Sequence, residues 1–159
     1  MASVDLRSLM ADGEVLARVG DDPDGVTIAG MELDYAEITS SPAGVTAAGE
    51  GNRVDVTGLS ISPVVGTRPI VVEAYFSYAS NNTADRGVGM AIVEGTTVKQ
   101  IATHGAALTG AVSQLSAKVR LAPSAGSHTY KVMVWVLISG TGTFHASATH
   151  PAWIQAVEV

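Results

Sequence analysis

The run His128-Thr-Tyr-Lys-Val-Met-Val-Trp-Val-Leu-Ile138 narrows the folds open to this chain more than any other stretch. Strand side chains alternate between two faces. Tyr130, Val132, Val134, Val136 and Ile138 therefore share one face, and Met133, Trp135 and Leu137 share the other. A half-exposed strand would carry polar residues at one of these sets. Here both sets are apolar from Val132 onward, so both faces must be covered. One cover is the core of the domain. The other is a second layer or a neighbouring subunit, and no amphipathic helix after residue 30 offers that layer. Subunit association is the first functional expectation.

The rest of the chain from Leu33 reads as short strands between turns. Expected strands are Leu33–Thr39, Arg53–Thr57 and Leu59–Val65 with a bulge at Gly58, Ile70–Tyr78, Val88–Val93, Thr97–Thr103, Ser113–Leu121, Thr143–Thr149 and Ala152–Val159. Clusters of Gly, Pro, Ser and Asn separate them, and Glu94-Gly95-Thr96 reads as a hairpin turn. Turn signals at roughly 8–12-residue spacing mark an all-β sandwich or barrel.

Residues 1–30 are of a different chemistry. Residues 1–37 hold nine acids against Arg7 and Arg18, whereas the remainder is close to neutral. Leu6, Leu9, Met10, Val15 and Leu16 are too few to build a core, so the segment reads as an arm that orders on a partner. The expected organisation is an attachment arm over 1–30 and a body over 31–159. A formal charge of −6 gives no reason to expect nucleic-acid binding. With no cysteine there is neither a disulfide framework nor a thiolate metal site. The longest apolar run, Val132–Ile138, is far short of the ~20 residues that a membrane helix requires. The chain is expected to be soluble, without a signal peptide or membrane insertion.

Several segments together resemble a known group: Leu33-Asp-Tyr-Ala-Glu-Ile-Thr39 with Val54-Asp-Val-Thr-Gly-Leu-Ser60, then Ser127–Val136, Gly142–Ser147 and Pro151–Val159. They are similar to small jelly-roll domains in virion proteins of phages infecting actinobacteria. Those domains look like trimeric tumour-necrosis-factor and complement-type jelly rolls. The resemblance covers about residues 31–159 and is a pattern of strands and turns, not a catalytic signature. It implies an all-β, antiparallel jelly-roll β-sandwich with an extended N-terminal arm. It also implies a homotrimer on the particle surface, assembled in the host cytoplasm and contacting other virion proteins of the capsid or tail. The role implied is a head decoration or fibre protein, or a minor tail protein. Tyr75, Met133, Trp135 and Trp153 are the candidate interface residues, since obligate interfaces are rich in aromatic residues and Met. The plainer alternative is that they are core residues of a monomer.

No reaction is legible. There is no GxSxG elbow, HExxH, HxH or phosphate-binding glycine loop opening a helix. His104, His128, His145 and His150 do not show the converging pattern that a metal requires, so they read as surface or turn residues. Asp22-Pro23-Asp24-Gly25 is a turn: in calcium-loop register its first and twelfth ligands would be Gly20 and Met31. Glu73 sits in an apolar strand and is the acid to examine for burial. The expectation is no enzyme, cofactor or metal. A first alternative is a receptor- or glycan-binding tail-tip module, with Asn81, Asn82, Arg86 and His104 on the contact loops and a host-surface glycan as partner. A second is a jelly-roll carbohydrate-active enzyme or cupin, which the absence of clustered His and carboxylate ligands disfavours.

Overall fold

The computed structural model describes residues 31–106 and 108–159. The arm residues Leu6, Leu9, Met10, Val15 and Leu16, and the Asp22–Gly25 turn, lie outside the described residues. The described residues form eleven strands. β1 is Glu32–Ile38, β2 Val54–Ile61, β3 Val64–Val65, β4 Ile70–Asn81, β5 Arg86–Glu94 and β6 Thr97–Ala106. β7 is Ser113–Leu121, β8 Gly126–Ser127, β9 Tyr130–Val136, β10 Gly142–His145 and β11 Ala152–Glu158.

The pairing is nested about the Gly95-Thr96 turn between β5 and β6. Outward from that turn, β5 pairs with β6, β4 with β7, β2 with β9, and β1 with β11, all antiparallel. This is one long hairpin. It is rolled so that β11 also pairs with β4 and β9 with β5. The roll produces two sheets, β1-β11-β4-β7 and β2-β9-β5-β6, which is the jelly-roll arrangement. β10 continues the line of β11 along β4, because Ala79 pairs with Phe144 on one side and with Ser113 on the other. Gly95 at φ +59 supplies the left-handed residue that a two-residue hairpin loop needs.

The core lies between the sheets. Ile70, Val72, Phe76, Met90, Val132 and Val134 are fully or almost fully buried there, and Phe76 meets Phe144 at 5.4 Å between ring centres. β9 turns Tyr130, Val132, Val134 and Val136 into this core. Its other face is closed within a single chain. Trp135 is 2 % exposed and clusters with Ala91 and Val93, with Met133, Leu137 and Val98 packed around them. Gly89, directly across the ladder, leaves room for the indole, and a Cβ there would run into the ring. Glycine in the neighbouring strand thus takes the place of the second layer that the sequence pattern demanded.

Other boundaries move for local reasons. Ile138 was expected on the core face, but β9 ends at Val136 and Ile138 is exposed. β10 stops at His145 instead of running to Thr149, because Ser147 and His150 pair across a turn. β4 runs on to Asn81, past a bulge between Phe76 and Ala79, so the polar loop starts at Asn82 instead of at Ser80 as Ser80–Asp85 suggests. A register shift between Glu32 and Asp34 lets Leu33 pack on the core instead of sharing a face with Tyr35. The bulge expected at Gly58 is present, with φ +91 and the β2–β9 register shifting between Asp55 and Ser60.

Candidate functional site

The outer face of the β1-β11-β4-β7 sheet gathers four of the chain's eight Tyr, Phe and Trp residues. Directly opposed residues in a ladder share a face. One row therefore runs Glu37, Trp153, Tyr75, Ser116, and the next runs Tyr35, Gln155, Glu73, Lys118. Val157 and Val71 are opposed in the row beyond, and Arg120 follows them. Tyr75 and Trp153 stack at 5.7 Å with their planes 25° apart. Past the β4 bulge, Tyr78 stacks on His145 at 4.0 Å, nearly parallel. Tyr35 stands 40 % exposed at the edge, and its hydroxyl donates to Glu37 Oε2 at 2.6 Å. Burial, then that hydrogen bond, push the phenol up to about 12. Glu73 is paired with Lys118 at 3.2 Å, so it is a bridged surface acid and not an isolated buried one.

The four interface candidates divide between two surfaces. Tyr75 and Trp153 meet on this sheet face. Met133 and Trp135 belong to the outer face of the other sheet, where Trp135 is already covered. No single flat contact uses all four. Tyr35, Tyr78 and His145 join the Tyr75–Trp153 surface and were missed. Alternation within β1 sets Tyr35 and Glu37 on one face, but their place beside Trp153, like the Tyr78–His145 pair, depends on a bulge and long-range registers that composition does not signal.

The loop candidates divide too. Asn81 is completely buried, so it ties loops together and is not a contact residue. Its Nδ2 donates to the carbonyls of Gly87 and Ser139 at 3.1 and 3.0 Å, and its Oδ1 accepts from Thr83 N at 3.0 Å. Its own carbonyl accepts from Gly110 N at 2.9 Å. Asn82 is exposed, yet its Oδ1 accepts from Thr141 N at 2.7 Å. Arg86 reaches Ser139 Oγ at 3.2 Å. His104 is half-buried on the core side of β6, opposite Val88, so it does not reach out as a contact residue. The loops that Asn81 joins carry exposed Leu108, Val112 and Ile138. They lie at the end of the sandwich opposite Glu32, where the chain enters β1, since Glu32 pairs near the far end of β11.

A cleft of about 650 Å3 opens between residues 40–47 and the start of β2. Ser40, Thr46 and Thr57 line it over a floor of Val45, Val56 and Val134. Asp55, the carboxylate in its wall, is bound to Lys131 at 2.8 Å. No group of three or more potential metal ligands occurs among the described residues.

At the end where the chain enters, Glu94 receives Lys99 Nζ at 2.7 Å and His128 Nδ1 at 2.5 Å. The Lys99 and His128 hydrogen bonds hold the Glu94 carboxyl below its usual range. The bond to Glu94, then that to the Ser124 carbonyl, raise His128. Reading His128 as a plain turn residue misses this group, because Glu94 is 34 residues away.

No protein family and no curated protein matches the chain. Among solved structures it is similar to Eiger TNF from S. frugiperda, at 11 % identity and a TM-score of 0.49, over 81 % of this chain and 94 % of that one. It is also similar to a carbohydrate binding module (CBM6cm-2) from Cellvibrio mixtus lichenase 5A in complex with cellotriose. That likeness has 11 % identity and a TM-score of 0.35, over 81 % of this chain and 99 % of that one.

Proposed function

We propose that the chain is a non-enzymatic structural protein of an actinobacterial phage particle, a head decoration or fibre protein or a minor tail protein. It assembles as a homotrimer and is held to the particle by residues 1–30. The phage assignment is supported by the sequence resemblance over residues 31–159. The trimer is supported by one observation above the others: the stacked Tyr75–Trp153 pair, beside Val71 and Val157, on the outward face of two inner strands. An outward sheet face meant for water carries polar residues at such positions, and obligate contacts are enriched in these residue types. The start of β1 and the loops tied by Asn81 lie at opposite ends of the sandwich, which suits attachment at one end and outward display at the other. Light scattering of the purified chain at micromolar concentration is expected to give the mass of three chains. A monomer would overturn the reading.

A second reading is favoured by the polar residues set among the rings. Glu37, Gln155 and Glu73 lie beside Trp153, Tyr75 and Tyr35, and rings flanked by hydrogen-bonding groups suit the apolar and hydroxyl faces of a sugar. On this reading the protein is a glycan-binding module. A monomer that binds immobilised glycans, and loses binding in Trp153→Ala, would decide for it.

A further inference from the structure

The most completely specified polar group in the body is the cluster around His128. Its imidazole has a partner on each nitrogen, and both partners are acceptors. Nδ1 faces Glu94 Oε1 at 2.5 Å and Nε2 faces the Ser124 carbonyl at 2.8 Å. A neutral imidazole has one N–H and one lone pair. It can satisfy only one of these two acceptors, and it turns a lone pair toward the other. Only the doubly protonated ring donates to both.

We propose that His128 is a proton-operated latch. While it carries both protons it holds the 122–128 connection onto the end of the β5–β6 hairpin. When it loses one, the Ser124 contact or the Glu94 contact is released.

The groups facing the ring come from every element around it. β5 contributes Glu94, and β6 contributes Lys99, which also binds Glu94. β9 contributes Tyr130, whose ring lies 6.3 Å from the imidazole and nearly parallel to it. The Tyr130 hydroxyl is buried without a partner, and burial and Glu94 push it up to about 12, so it stays neutral through the range concerned. The connection itself contributes the Ser124 carbonyl. From the β2–β3 side come no charges: His128 N donates to the Pro63 carbonyl at 3.1 Å, and Ser62 meets Thr129 at 2.9 Å. Those two contacts fix the backbone of 128–129 whatever the state of the ring. Gly126 and Ser127 are held as well, since β8 pairs with Val65 and Val64 of β3. Opening is therefore confined to residues 122–125, between Leu121 at the end of β7 and β8. That segment is the flap. It lies at the end of the sandwich from which β1 begins, the end next to residue 31. A change there alters the surface beside the start of β1 and leaves the Asn81 loops untouched.

The test follows the full-length chain by nuclear magnetic resonance across pH 5–10, in wild type, Glu94→Gln and His128→Gln. The His128→Gln spectra identify the ring signals among the four histidines. In wild type the ring of His128 should titrate above the ordinary histidine value of 6.5, and the backbone order parameters of residues 122–125 should fall with the same midpoint. In Glu94→Gln both midpoints should move down together, and in His128→Gln the step in order should vanish. The latch is overturned if wild type and Glu94→Gln titrate at the same pH. It is equally overturned if the ring titrates while order in 122–125 stays constant. Loss of the trimer would not affect either readout, so this outcome is independent of the assembly reading.

Discussion

Trp135 lies across Gly89, its ladder partner, and the two together seal the outer face of a sheet that would otherwise need another layer. The pair is complementary by size. Any side chain at 89 must displace the indole, and any loss of the indole uncovers Ala91 and Val93.

Gly89→Val is therefore expected to destabilise the body by about 1–3 kcal/mol, the range for overpacking a filled site. Trp135→Ala should cost about 3–5 kcal/mol, as for a buried large-to-small change. Both are read as a fall in denaturant midpoint with unchanged slope. An unchanged midpoint in Trp135→Ala would mean the strand is not central.

The aromatic sheet face gives a different kind of outcome. Tyr75→Glu and Trp153→Arg place charges where the proposed trimer excludes water, on side chains only half-buried in one chain. Each should reduce the mass from three chains to one by light scattering, while far-ultraviolet circular dichroism stays that of the wild type. Met133→Lys lies on the opposite sheet and should leave the assembly intact.

Asn81 connects loops by four hydrogen bonds, three of them through its side chain. Asn81→Leu strands two carbonyls and one N–H in a buried place, at about 1–3 kcal/mol for each group left unpaired. Asn81→Asp should be worse at neutral pH, since a carboxylate would face the Gly87 and Ser139 carbonyls. Faster amide exchange in 82–87 and 138–141, with β7 unaffected, is the expected signature.

The Lys99–Glu94–His128 cluster sets a pH window for stability. His128 is raised above 6.5, so its contribution is full below 6.5 and is lost as pH climbs through the higher folded value. Glu94 is lowered beneath 4.5, so its contribution is full above 4.5 and is lost as pH falls through the lower folded value. Both act together between about 4.5 and 6.5. Subtracting the stability curve of Glu94→Gln from that of wild type should give a plateau there, with a decline on each side. A difference independent of pH would refute it.

The all-β sandwich was legible because Ser113–Leu121 alternates cleanly, because Tyr130–Val136 is a β-rich run apolar on both faces, and because Gly95 and Gly58 sit where a hairpin and a bulge need them. The surfaces were legible only in part. Tyr75 and Trp153 share one sheet face, yet the sequence reading groups them with Met133 and Trp135, because alternation tells which residues share a strand face and not which faces share a sheet. Asn81 looked like a loop tip from its polar neighbours. It is buried because β4 continues through it, and strand ends depend on what the neighbouring strands pair with. The Glu94–His128 contact arises from two strands that meet only after the hairpin has rolled.

The nested pairing also dictates an order of events. Only β5 and β6 find each other across a two-residue turn, and every further pair encloses more chain. β1, the earliest strand of the body to be synthesised, has β11 as its partner, so it waits unpaired on the ribosome until residues 152–158 emerge. Closure from local hairpin to distant strands implies slow folding for this size. During that wait the bare edge of β1 is the part of the nascent chain most open to pairing with a neighbour's strand.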